Sequence, residues 1–248
     1  MNLPLALAFL FFIGSVFGWC LELFYRRFFS AANPERKWIN PGFCVGPYLP
    51  LYGSGLCILF LLAMLEDNFA VKNPTARKIL LFVIMAICMT VIEYIAGIIS
   101  LKVFNLRLWD YRNQWGNIQG IICPKFSLAW AILGAAYYFL VHPHIIGALE
   151  WLSKNLAFSF FIGLFYGVFI IDVAYSSQIV IKIRKFAAEN DVIVRYENLK
   201  AHIRSFHDAN KLKSHFFLAT LSERSLNEHL HDIREKLEKR SPKIGSSK

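Results

Sequence analysis

Three carboxyl groups interrupt otherwise apolar stretches of this chain: Glu22, Glu93 and Asp172. A carboxylate inside a bilayer costs about 2.5–3.5 kcal/mol on insertion scales, so an acid kept there should face a protein interior and either hold a partner or be protonated. Glu22 lies four residues before Arg26, Glu93 nine before Lys102 and Asp172 ten before Lys182. At a rise of ~1.5 Å per residue these offsets place them ~6, ~14 and ~15 Å inside an apolar boundary. Acids at such depth can bind an ion or a proton. The alternative for Glu93 and Asp172 is a helix-packing hydrogen bond with Tyr94, Tyr175 or Ser176. Glu22 is shallow enough to snorkel. The nearest cation at its level is Lys125, which predicts a Glu22–Lys125 pair joining two halves of the chain.

A second group of residues occupies two Pro/Gly-rich runs. Asn40–Gly55, with Pro47 and Tyr52, carries glycine at 42, 46, 53 and 55 and proline at 41, 47 and 50; Asn117–Gly134 carries Pro124 and Ser127. Missing donors and permissive glycines oppose a plain helix start. Lipid tolerates broken backbone only where protein or a water-filled cavity covers it, so both runs are read as lining something. Trp19, Trp109, Tyr111, Trp115 and Trp151 stand near predicted interfaces, where amphipathic rings usually serve as anchors. Asp110, between Arg107 and Arg112, fits either a loop ion pair or part of a head-group site. No catalytic residue, metal site or cofactor is assigned: GxSxG, HExxH and GxxxxGK[ST] are absent, and the five cysteines lack CxxC spacing and read as packed thiols.

The elements that must position these residues are membrane helices. Of 248 residues, 56% are hydrophobic and 18% charged, and the mean hydropathy of +0.43 is too high for an ordinary soluble domain. The net charge of +10 lies in flanks and in one tail, as membrane topology requires, and no nucleic-acid motif accompanies it. Five spans of about 20 residues or more are predicted at 3–25, 46–65, 79–104, 121–141 and 156–183, forming a transmembrane domain over 1–183. Arg26, Arg27, Arg36 and Lys37 fill the first loop and Lys154 stands alone in the fourth, which predicts an N-terminus outside and a cytoplasmic C-terminus. Lys72, Arg77 and Lys78 in the second loop run against that rule. The first apolar stretch is read as a retained anchor.

Laid side by side, the spans suggest an internal repeat. Glu22 is followed by Asn40 and Pro47, Glu93 by Asn117 and Pro124, with seven residues from Asn to Pro in both cases. The predicted fold is therefore all-α: a polytopic bundle of two related hairpins, a fifth helix, and a basic cytoplasmic helical tail over 184–248. In the tail, Val192, Tyr196, Leu199, Ile203 and Phe206, then Leu226, Leu230, Ile233 and Leu237, form apolar seams. Ser225 with Glu228 reads as a capping box, and Ser241-Pro242 as a stop. The seams can pack on each other, on a partner helix, on a second copy or on an anionic leaflet.

GWxxExxY at Gly18–Tyr25, NxGFxxGPxxPxYGxG at Asn40–Gly55, EYxxG at Glu93–Gly97, WDY at Trp109–Tyr111, and NxxGxIC with FSLxWxxLG up to Gly134 resemble the bacterial putative ABC-transporter type IV membrane proteins over roughly residues 11–140. The resemblance implies a permease-like protein of the bacterial inner membrane. A basic residue often stands in that family where this chain has Pro41 and Ile121, leaving Lys125 to compensate. The expected function is the membrane subunit of a transport system, moving or presenting a small solute or lipid in a cavity lined by the two Pro/Gly-rich runs, Glu22 and Glu93. Its partners are then the lipid bilayer, a separate ATPase subunit, and a second copy or helical partner at the tail, with no nucleic acid. The rival readings are a lipid-modifying enzyme using Glu22 or Asp110, and a scaffold that recruits through its tail.

Overall fold

The computed structural model of the chain describes residues 2–30, 33–209 and 226–240. Local chemistry sets the helix starts. Asn2 caps α1 (Leu3–Phe28) and Asn73 caps α3 (Pro74–Phe104), each accepting from backbone N–H groups of the first turn. Prolines open α2 (Pro50–Met64) and α4 (Pro124–Ala136), where the missing N–H has no helical partner to lose. Asn105, at φ 50°, ends α3 in the left-handed region. The remaining helices are α5 (His142–Lys154), α6 (Ser159–Glu189), α7 (Tyr196–Ala209) and α8 (Leu226–Arg240).

Among the described residues, four helical stretches are long and apolar enough to cross a membrane: Leu3–Phe28, Pro74–Phe104, Pro124–Leu152 and Ser159–Glu189. The predicted second span differs. Its helix has 15 residues, ~22 Å of rise against a hydrocarbon core of ~30 Å. The missing length is irregular backbone. Leu49 N–H donates to the Ser15 carbonyl at 2.9 Å, and Ser15 lies thirteen residues before the end of α1, or ~20 Å down its axis. Residues 41–49 thus dip into the bundle, and helix begins only at Pro50.

The predicted fourth span, 121–141, also runs on. A π turn at Tyr137–Val141, closed by His142 N–H on the Tyr137 carbonyl, links α4 to α5. In a regular helix the Pro143 ring would meet the carbonyl of Phe139; the wide turn displaces it, and helix resumes to Lys154. The last span likewise continues six residues past 183, to Glu189.

α1 packs on α2 and α3 on α4 as two hairpins. Their loops lie at one end, called here the loop end, with α7 and α8. Leu10, Leu59, Phe60, Leu81, Met85, Met89 and Trp130 form the central core. Outward, Val83, Ile87, Val91, Ile95, Ile99 and Val103 are exposed at every fourth residue of α3. A stripe of that length has hydrocarbon, not water, as its natural neighbour.

A second core closes the loop end. β1 (Leu106–Arg107) pairs in parallel with β2 (Val194–Arg195), and Leu106, Ile183, Phe186, Leu199, Ile203 and Leu230 pack together beside them. Within the chain, the tail seams pack on each other and on the core: α7 packs on α8, and residues of both join the cluster at the end of α6. Ser225 of the expected capping box, the Leu237 side chain and Ser241-Pro242 lie outside the described residues.

Candidate functional site

The two hairpins meet at their glutamates. Glu22, near the loop end of α1, accepts from Arg26 Nε at 2.9 Å and from the Tyr52 hydroxyl at 3.1 Å. Glu93, on α3, accepts from Trp130 Nε1 at 3.0 Å and from the Tyr111 hydroxyl at 3.1 Å. The Tyr52 and Trp130 rings touch across the hairpin interface, 5.1 Å between centroids. The circuit closes on the other side: Tyr111 stacks on Phe126 at 4.3 Å, and Phe126 meets the edge of Tyr25 on α1 at 6.3 Å. Two carboxyl groups thus face one another through five aromatic rings, and each oxygen of Glu93 has one donor.

Glu22 and Glu93 differ in charge balance. Arg26 neutralises Glu22, whereas among the described residues no Lys, Arg or His lies within ion-pair distance of Glu93, which is 3% exposed. The predicted Glu22–Lys125 pair is corrected: Lys125 is exposed in the first turn of α4, its ammonium 5.8 Å from the Phe126 ring, while Arg26, one turn along the same helix, takes Glu22. Tyr94 and Tyr175 do not supply the bonds to Glu93 or Asp172; apart from Ser176, the donors come from other segments.

Asn40 and Asn117 organise the two loops. The Asn40 side-chain oxygen Oδ1 accepts from Trp19 Nε1 at 2.9 Å and Gly42 N–H at 3.1 Å, and its side-chain amide donates to the backbone carbonyls of Cys44 and Val45. The Asn117 oxygen accepts from Gly120 N–H at 3.0 Å, and its amide donates to the carbonyls of Arg112 and Gln114. Each asparagine therefore binds a later glycine and two carbonyls. The prolines seven residues on do not correspond, since Pro124 opens α4 while Pro47 is exposed and precedes α2. Ser127 sits in the first turn of α4, with its N–H on the Cys123 carbonyl.

Asp172 is saturated. It accepts from Val45 N–H at 3.0 Å, Gly46 N–H at 2.6 Å, Ser176 Oγ at 2.8 Å and the Tyr48 hydroxyl. Its work is to hold the dipped segment 41–49 against α6, with Ser176 the one partner expected from sequence. In the other loop, Trp109 Nε1 donates to the Ile121 carbonyl at 2.8 Å. Asp110 binds Arg112 at 2.7 Å, with Arg107 at 3.9 Å and Arg195 at 3.8 Å. The Arg112 hydrogen bonds hold its carboxyl below the usual carboxylate range.

The tail reaches the same network. Glu197 of α7 binds Arg26 Nη1 at 2.7 Å and Lys200 Nζ at 2.9 Å, and Lys200 donates to the Asn40 backbone carbonyl at 3.4 Å. Burial pushes the Glu197 carboxyl up, but Lys200 and Arg26 outweigh it and hold it at about 2. Its folded value therefore lies below the ordinary 4.5, so the stabilisation is complete above the unfolded value and is lost as pH falls toward the folded one. Hydrogen exchange across α7 should accelerate as pH drops from 4.5 toward 2 after correction for intrinsic rates, and Glu197→Gln should flatten that dependence. An equal slope in both proteins would place the acid sensitivity elsewhere.

Trp130, Arg26, Tyr48, Glu197 and Lys200 were not picked out by sequence. Trp130 carried a signal: an indole N–H in the middle of an apolar span needs an acceptor, and Glu93 is one of the few available. A family model described as putative ABC-transporter type IV matches residues 9–177, which takes in both hairpins and Asp172. No curated protein and no solved structure matches the chain.

Proposed function

Since the chain belongs to the putative ABC-transporter type IV family, we propose that it is the membrane subunit of a transport system, and that its pathway runs between the hairpins, past Glu22 and Glu93. The observation that carries this reading is the Tyr52–Trp130 contact, which joins the half-buried Glu22 to the buried Glu93 across the interface of two like-built helix pairs. Sites at the interface of repeated units are a recurrent transporter arrangement. Glu93, with no cation beside it among the described residues, is the group to take a proton, a cation or the ammonium or hydroxyl of a small solute or lipid. Asn40, Asn117 and Asp172 set the loops that frame it, and Pro47, Lys125 and Ser127 lie at the rim.

The sequence holds no GxxxxGK[ST] loop, so ATP-driven action requires a separate ATPase. It would dock at the loop end, on the 105–123 loop with Trp109, Asp110 and Tyr111, or on the tail, on the cytoplasmic side of a bacterial inner membrane. The test is to extract the tagged full chain in native nanodiscs and identify its companions by mass spectrometry. A stoichiometric ATPase is expected, with Glu93→Gln keeping the complex but changing its ATPase rate. Absence of any ATPase together with one enriched lipid or metabolite would overturn the ATP-driven form.

A further inference from the structure

A large apolar hollow lies at the end away from the loops. It is a cleft of about 490 Å³ between α1, α5 and the start of α6. α1 contributes Phe9 and Phe12, α5 contributes Trp151 and Leu152, and the α6 side contributes Phe158 and Ile162. Leu152 and Ile162 form a buried floor, while Trp151 and Phe158, 4.6 Å apart, stand as a wall. Deeper in the bundle the same helices are in contact: Phe11 stacks near Tyr166, Phe12 meets Phe165, and the Tyr166 hydroxyl donates to the Ala8 carbonyl at 3.0 Å. The cleft is therefore a local parting of α1 and α6, held open where α5 leans in.

We propose that this cleft is a binding site for one acyl chain of a membrane phospholipid. The lining is almost wholly apolar, and the Trp151 indole is the one lining side chain with a hydrogen-bonding group. The surrounding solvent of these helices is hydrocarbon, and an unfilled apolar hollow forfeits dispersion contacts on all its walls. A flexible unbranched chain fits a narrow cleft better than a rigid ring system does. Lys154 ends α5 three residues beyond Trp151, ~4.5 Å along the axis. It is the one Lys or Arg between Phe126 and Ile181, and it puts a cation at the rim for the lipid phosphate. The proposal needs only the membrane setting and is independent of the transport reading.

The test uses the full chain in detergent, titrated with a phospholipid carrying brominated acyl chains, which quench tryptophan on contact. Subtracting the signal of Trp151→Phe isolates Trp151. Quenching that saturates at one lipid per chain is expected, relieved by the unbrominated lipid and reduced severalfold in Ala148→Phe, whose ring fills the cleft. Lys154→Gln should weaken binding without changing the end point. Quenching that rises with the lipid-to-detergent ratio without saturating, or that unbrominated lipid fails to relieve, overturns the proposal even if the Ala148 variant does not fold.

Discussion

Replacing Asp172 with alanine should leave little of the chain folded. The carboxylate receives two backbone N–H groups, Val45 and Gly46, and two hydroxyls, Tyr48 and Ser176. The hydroxyls can turn to other acceptors, but the two amides are fixed by the half-buried segment 41–49, which is packed against α6. Each buried donor left unmade costs about 1–3 kcal/mol, so the loss is roughly 2–6 kcal/mol, comparable with the whole stability of many domains. Asp172→Asn should recover only part, because its amide offers one oxygen and turns an N–H toward the remaining donors. The monodisperse fraction after detergent extraction and its melting temperature are the measurements. A melting temperature equal to wild type would mean that another group holds the segment.

The second large effect is expected at Gly53. A Cβ there would stand 2.2 Å from Ser15 Oγ and 2.6 Å from the Phe11 carbonyl oxygen. The first obstacle is a small side chain; the second is backbone of the neighbouring helix and cannot swing away. Close approach of helices through small residues is how membrane bundles gain dispersion contact, and α1 answers Gly53 with Gly14, while its Gly18 makes room for Tyr52. Gly53→Ala should cost about 1–3 kcal/mol as an overpacked contact, and Gly53→Val should prevent α1 and α2 from closing. Ser15→Gly should rescue Gly53→Ala in part, since it removes the hydroxyl but not the carbonyl. Absence of any rescue would locate the clash at Phe11 alone.

Glu22 and Glu93 were legible in the sequence because lipid makes an acid conspicuous, and the loop asparagines because they sit among glycine and proline. Their partners were not legible. Tyr111 and Trp130 lie 18 and 37 residues from Glu93, and nothing in helical spacing connects a loop tyrosine to the middle of the helix before it. Lys125 was chosen for Glu22 by depth alone, which ignores azimuth: it is on the outside of α4, and Arg26 was closer in the simplest sense, one turn away on the same helix. Glu197 and Lys200 were lost in a tail whose charges look alike, and only the fold shows that Lys200 is 2% exposed and bonded to Asn40. The four long helices followed from composition; the short second helix did not, because hydropathy cannot distinguish an apolar helix from an apolar loop that dips beside it.

The wide turn at Tyr137–Val141 has a consequence for how this chain tolerates changes in length. It holds one residue more than an α-helical turn, and one residue is worth ~100° of rotation about the axis. Ile145, Leu149 and Leu152 face inward only with that extra residue counted. Deleting a single residue between 137 and 141 would leave every side chain of α5 chemically intact and turn all of them to the wrong azimuth. An insertion there would do the same in the opposite sense. For this segment, the reading frame of the helix matters more than its composition.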